Sequence, residues 1–249
     1  MRTTLRWTHV LGGLAAPDIA QLAAVTHRAG KPLCVDLGWG GVADLAKYGL
    51  PEVPVARTAL AAGADLVLLR GNGTLGGPIC GMIAGKRELI EKIAAHPLGK
   101  AAAATLPLEA ALAATLQLQG DPTAAEQALP LLRLLSTASE NLQQRAERLA
   151  PQIAALGIAS AEPLAGRAAL SSRRAAQEEL PSWCVALTST AHTAAELAQR
   201  LMTGTRPVAS RVENDRVLLD LRTVSPKDDL ELLDALAALA GNGEANAAK

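Results

Sequence analysis

Asp36 closes the apolar run Pro32–Leu37, and Lys86, Lys100 and Arg211 are cations whose settings could carry chemistry. An aspartate at the carboxyl end of a strand sits where α/β sheets bind ligands. A turn aspartate serving the backbone just before Gly38 accounts for the same residue equally well. Downstream, the apolar run Asp65–Leu69 enters the glycine-dense Gly71–Gly77, Pro78 rules out an immediate helix, and Cys80–Ala84 reads as a return strand. Gly71, Gly73 and Gly76 satisfy G-x-G-x-x-G, but a dinucleotide site needs a helix N-terminus there, and Gly77-Pro78 leads into a strand. Gly85-Lys86 lacks both the upstream glycine and the following Ser/Thr of a phosphate loop.

The elements that must position these residues alternate. Thr3–Val10 reads as a strand, Pro17–Ala29 as a helix and Pro32–Leu37 as a strand. A short helix closes at Leu60–Gly63, strands follow at Asp65–Leu69 and Cys80–Ala84, and Arg87–Ala95 is a helix stopped by Pro97. That order predicts a mostly parallel, helix-covered sheet over residues 1–105. Leu108–Leu156 is nearly all helix, broken at Gly120-Asp121-Pro122, so residues 106–160 are expected to connect. Ala161–Glu179 is polar and Ala-rich without a period and reads as a linker into a small α+β domain ending near residue 240. That domain holds a strand at Trp183–Thr188, a helix at Thr193–Met202, and a hairpin of Val208–Val212 and Val217–Leu221 around Glu213-Asn-Asp-Arg216. Ser225-Pro226 starts a last helix, and Gly241–Lys249 reads as a disordered tail.

Composition narrows the function classes. Apolar residues make up 49% and charged residues 19%, which is globular, while aromatics at 2% with no Phe leave a core of Leu, Ala, Val and Ile. Basic and acidic residues balance at 24 each, and no basic run is interleaved with aromatics, so direct binding of a nucleic acid, tRNA or any other, has no support in charge. Cys34, Cys80 and Cys184 are widely spaced without a C-x-x-C pair, which suggests reduced thiols and neither disulfides nor zinc. No run is long enough to span a bilayer and no leader is evident, so a cytoplasmic protein is expected.

Residues 65–88 resemble the cofactor-lysine region of bacterial selenocysteine synthase, the L-seryl-tRNA(Sec) selenium transferase family, which reads approximately S-G-D-K-L-L-G-G-P-Q-x-G-x-I-x-G-K-K-E. Gly71, Leu75, Gly76, Gly77, Pro78, Gly81, Ile83, Gly85, Lys86 and Glu88 match, while Arg70, Asn72, Gly73 and Ile79 stand at the serine, acidic, lysine and glutamine positions. The resemblance runs from about Gly30 to about Ala240. It includes Val35-Asp36-Leu37-Gly38-Trp39-Gly40 beside the family's D-L-G-S-G, Asp44-Leu-Ala-Lys-Tyr-Gly-Leu-Pro51, His96-Pro97-Leu98, Leu180-Pro-Ser182 and Leu219-Asp-Leu-Arg222.

The resemblance implies an α/β fold: a partial fold type I aminotransferase-like parallel sheet with helices, plus the small C-terminal α+β domain. It implies pyridoxal phosphate as cofactor, with Asp36 pairing to the pyridine nitrogen. His9, at the end of the first strand and outside the well-matched region, could stack on the ring, although a lone histidine there is more often structural. Asn72 and Gly73 fall in the cofactor loop, and because the family's lysine forms an imine there, covalent attachment is not expected at Gly73. The family's basic pattern after H-P-L survives only as Lys100, with Ala103, Thr105 and Leu106 in the other places. Arg211 matches a family arginine of the kind that receives a substrate carboxylate, and a partly exposed strand arginine without that role accounts for it equally well. The resemblance also implies that the family's tRNA-contacting domain and the leading half of its cofactor domain precede residue 1. A homo-oligomer built on a dimer, or a hetero-oligomer with a full-length homologue, is expected.

A replacement lysine must reach the same spot. Lys86 lies about 15–20 Å from Gly73 along a strand rising ~3.3 Å per residue, so it reads as a solvated residue at a helix start. Lys47 and Lys100 read as surface charge. The chain is therefore expected to be either a family member without the original transfer activity or a non-catalytic scaffold or regulatory subunit of the same fold.

Overall fold

The computed structural model describes residues 4–6, 18–51, 53–169 and 179–247. The chain divides into two compact units, one running to Arg133 and the other starting at Leu134.

In the first unit, β1 (Thr4–Arg6), β2 (Cys34–Asp36) and β3 (Leu66–Arg70) are parallel neighbours, and β4 (Gly81–Gly85) closes the order β1-β2-β3-β4 antiparallel to β3. The loop of residues 71–80 after β3 is too short for the crossover that a parallel return would need, so β4 runs back antiparallel. Helix α1 (Ile19–Arg28) starts where the Asp18 side chain accepts from the Ala20 N–H at 3.0 Å. With α2 (Ala56–Ala61) it lays Ala23, Ala56 and Ala59 against Leu33, Val35, Leu37, Val67 and Leu69. Small helix residues let the backbones approach closely, which is how a core without Phe is filled.

Helices α3 (Arg87–Ala95), α4 (Pro97–Ala101), α5 (Leu106–Gln119) and α6 (Pro122–Ala128) follow, and α7 (Pro130–Ser136) contains the division between units. The break expected at Gly120-Asp121-Pro122 is present, with the Asp121 carboxylate accepting from the Thr123 N–H at 2.9 Å to start α6.

The second unit has α8 (Ser139–Ala154), β5 (Ser160–Ala169), β6 (Glu179–Thr188), α9 (Ala194–Thr203), β7 (Arg211–Glu213), β8 (Arg216–Asp220) and α10 (Asp229–Ala247). Its antiparallel sheet has the order β5-β6-β8-β7. Leu142, Leu149 and Ile153 of α8 meet Val185, Leu187, Val217 and Leu219 of the sheet, with Leu197, Leu201, Leu232 and Leu236 from the other two helices. The hairpin turns at Asn214 and Asp215, both left-handed at φ 50 and 57, a conformation these two residue types tolerate without glycine.

The α/β class with a separate α+β unit is what the sequence led us to expect. Two segments differ from their readings. Ser160–Ala169, taken as part of a linker, is a ten-residue edge strand paired along its length with β6. A strand bonded on one side needs little alternation of its own, so the Ala-rich stretch hid it. Within the tail expected from Gly241, the last helix continues to Ala247. His9 and residues 170–178 lie outside the described residues. Among the described residues no helix is long and apolar enough to cross a membrane, and no cluster of three His, Cys, Asp or Glu could hold a metal.

Candidate functional site

Asp36 ends β2, the strand between β1 and β3, so it lies at the carboxyl edge of the parallel trio. Its Oδ1 accepts from the Gly38 N–H at 2.9 Å, and the Leu37 N–H continues the ladder to the Leu68 carbonyl. The turn role read as one alternative is thus filled, in a residue that is also half-buried at the strand end.

The turn that follows β3 packs against the turn that follows β2. The Trp39 carbonyl accepts from both the Thr74 N–H at 3.2 Å and the Thr74 hydroxyl at 2.9 Å. Inside the loop, the Gly73 N–H donates to the Arg70 carbonyl, the Gly76 N–H to Gly73, and the Gly77 N–H to Gly71. A Cβ added at Gly73 would lie 3.1 Å from the Trp39 carbonyl oxygen, 3.3 Å from that of Arg70 and 3.4 Å from the Trp39 Cα. Position 73 is a point of close backbone approach, where a side chain would need its neighbours to give by a few tenths of an ångström. Asn72 and Arg70 flank it, both exposed.

The remaining residues singled out from sequence stand elsewhere. Lys100 is exposed on α4, whose start is capped by the His96 ring accepting from the Leu98 N–H at 3.2 Å. Arg211 belongs to the second unit, on β7. There Nη1 donates to the Arg167 carbonyl at 2.9 Å, Nη2 lies 3.6 Å from Asp220 and 3.7 Å from the Cys184 sulfur, and Nε is buried without a hydrogen bond. Burial and the nearby Asp220 carboxylate push the Cys184 thiol up to about 11, so it is no nucleophile. Lys47 is held by Glu126 at 2.7 Å beside Tyr48, whose hydroxyl donates to the same carboxylate.

Lys86 is committed at the opposite end of the sheet. Its Nζ lies 2.6 Å from Asp65, whose other oxygen takes the Leu33 N–H at 2.6 Å and the His27 ring at 2.8 Å. Burial alone would raise the Asp65 carboxyl, but Lys86, the Leu33 N–H and His27 outweigh it and hold the pKa at about 2. The folded value lies below the unfolded one, so this stabilisation is complete above about pH 4 and fades as pH falls toward 2. Asp65→Asn is expected to cost on the order of 2 kcal/mol at pH 7 and to flatten the acid limb of stability, measured by urea melts from pH 7 to 2.5. An unchanged acid limb in the variant would show that another carboxylate governs it.

Comparison with known proteins decides the relationship: the L-seryl-tRNA selenium transferase model matches residues 3–225. The chain belongs to that family. Curated L-seryl-tRNA(Sec) selenium transferases agree. That of Serratia proteamaculans is 38% identical over 236 residues, covering 92% of this chain and 50% of its own. That of Rhizobium meliloti is 38% identical over 230 residues, covering 91% and 48%. The chain thus spans about half the length of the curated relatives it matches. Among solved structures, D-glucosaminate-6-phosphate ammonia-lyase shares the fold with a TM-score of 0.60 at 19% identity, over 96% of this chain and 57% of that one.

Set beside the cofactor that the family resemblance implies, the described residues divide. An aspartate stands at the strand end where a ring nitrogen could be met, which fits a ring held without a covalent bond. An amine at position 73 is absent, and Lys47 and Lys86 are bound to carboxylates away from it.

Several structural residues escaped the sequence reading. Arg145 and Arg222 are both buried, and Ser182 donates to Asp220 at 2.6 Å. Arg222 donates to the carbonyls of Pro181, Leu134 and Thr137 at 2.6 to 3.0 Å, tying the start of β6 and the end of α7 to the segment that leaves β8. The only local sign of Arg145 is its position three residues after Leu142 and four before Leu149, inside the apolar stripe of α8.

Proposed function

We propose that this selenium transferase family member no longer carries out the transfer chemistry and serves as a cytosolic, non-catalytic ligand-binding or regulatory member of its family. The observation that carries this reading is Gly73. It takes the place of the family lysine, and the backbone of Trp39 closes on the spot from which a side chain would leave. The loss of cations at Ala103, Thr105 and Leu106 supports it, since a bidentate arginine has no neutral substitute for holding phosphate or carboxylate.

In this reading pyridoxal phosphate is a reversible ligand. When bound, it supplies a ring that accepts electrons through its protonated nitrogen. Asp36, whose carboxylate accepts from the Gly38 N–H, would receive that proton-bearing nitrogen. No residue at position 73 removes or returns a proton, which is the step the family's transfer reaction needs.

The test is one equivalent of pyridoxal phosphate followed by borohydride, dialysis and peptide mass spectrometry. The cofactor is expected to dialyse away, leaving no lysine labelled to stoichiometry. A single fully labelled pyridoxyl-lysine peptide would refute the reading.

A further inference from the structure

β3 alternates: Val67 and Leu69 enter the core beneath α1 and α2, so Leu66, Leu68 and Arg70 face the other way. In β2, Val35 joins that same core, so Asp36 also faces away from it. Asp36 is in register with Leu68 of the adjacent parallel strand, two residues before Arg70. With strands ~4.8 Å apart and a rise of ~3.3 Å per residue, the Cα atoms of Asp36 and Arg70 are about 8 Å apart, on one face and at one end of the sheet.

Arg70 is exposed, and its guanidinium has no hydrogen-bond or ion-pair partner among the described residues. Lys47 and Lys86 of the same unit are, by contrast, both paired with carboxylates. Beside Arg70 the loop offers the exposed Asn72 and the 36% exposed Trp39, whose Cα abuts Gly73. Asp36, Arg70, Asn72 and Trp39 thus lie at one end of the sheet, close in the chain or in register to a position with no side chain.

We propose that Arg70 is an anion-binding residue that recognises the phosphate of a phosphorylated pyridine ligand whose ring reaches toward Asp36. This rests on the ligand-binding reading above. The family pattern has serine at that position, and a guanidinium there brings two parallel N–H donors and a full charge to a site that has lost its lysine. The chain would then have exchanged a covalent anchor for an ionic one, which binds reversibly and discriminates ligands by their phosphate.

Calorimetry on the full chain with pyridoxine 5′-phosphate, pyridoxine and inorganic phosphate tests this, since none of the three carries an aldehyde that surface lysines could trap. The wild type is expected to bind pyridoxine 5′-phosphate at least tenfold more tightly than pyridoxine, with inorganic phosphate competing. Arg70→Ser should shrink the preference to under threefold and abolish the competition, while Arg70→Lys should keep part of it and Asp36→Asn should weaken both pyridines alike. Circular dichroism checks that each variant is folded. A preference that survives Arg70→Ser, or a wild type that binds both pyridines equally, overturns the role of Arg70 and leaves the ligand-binding reading standing. A wild type that binds neither pyridine overturns both.

Discussion

Arg145→Ala is expected to destabilise the C-terminal unit by about 3–5 kcal/mol, the cost of breaking a buried ion pair from one side. The guanidinium is 7% exposed, and every donor on it is used. Nε reaches Asp229 at 2.8 Å, Nη1 reaches the carbonyls of Leu221 at 2.9 Å and Val224 at 2.7 Å, and Nη2 reaches Ser225 at 3.1 Å and the same carboxylate. These carbonyls belong to the segment between β8 and α10. Removing the side chain leaves a buried carboxylate served only by Arg148 and carbonyls without donors. Arg148 meets the same Asp229 at 2.6 Å but is 59% exposed, so Arg148→Ala should cost under about 1 kcal/mol. Urea denaturation of both variants measures the contrast. Equal costs would mean that charge pairing, and not burial with carbonyl satisfaction, governs this corner.

That corner also marks where sequence stops being informative. The stripe Leu142, Leu149 and Ile153 is periodic, and α8 follows it as expected. The arginine within the stripe breaks the apolar pattern, and only the carbonyls 76 to 80 residues away give it a reason to be there. Asp65 is similar. It reads as the polar start of an apolar strand, while its partners His27, Leu33 and Lys86 come from three other segments. Local signals fared better where the requirement was local: Asp121 before Pro122 ends one helix and starts another, and Asn214-Asp215 turns a hairpin because both tolerate positive φ. For the candidate site, the strand ends carrying Asp36 and Arg70 were legible, but their common face depends on which strands are neighbours and in what register. No window of sequence contains that.

The loop after β3 bears on whether the lost lysine could simply be restored. Gly73→Lys is expected to give no stoichiometric pyridoxyl adduct, to leave selenium transfer undetectable, and to cost about 1–3 kcal/mol of stability, the range for a side chain forced into a packed place. The obstacle begins at the first carbon, which would lie 3.1 and 3.3 Å from two carbonyl oxygens. One of these, on Trp39, is fixed by two donors from Thr74, so it cannot retreat without giving up both bonds. Gly73→Ala should therefore carry most of the same cost, which separates steric strain from any effect of the amine. The loop could instead open to release the lysine, but Thr74 would then lose the carbonyl that satisfies its buried hydroxyl. Chemical denaturation of both variants, with borohydride trapping and mass spectrometry of the lysine variant, decides the point. A Gly73→Lys protein as stable as the wild type and labelled at residue 73 would mean that the loop yields easily, and that closure around Trp39 is not what keeps this position free of a side chain.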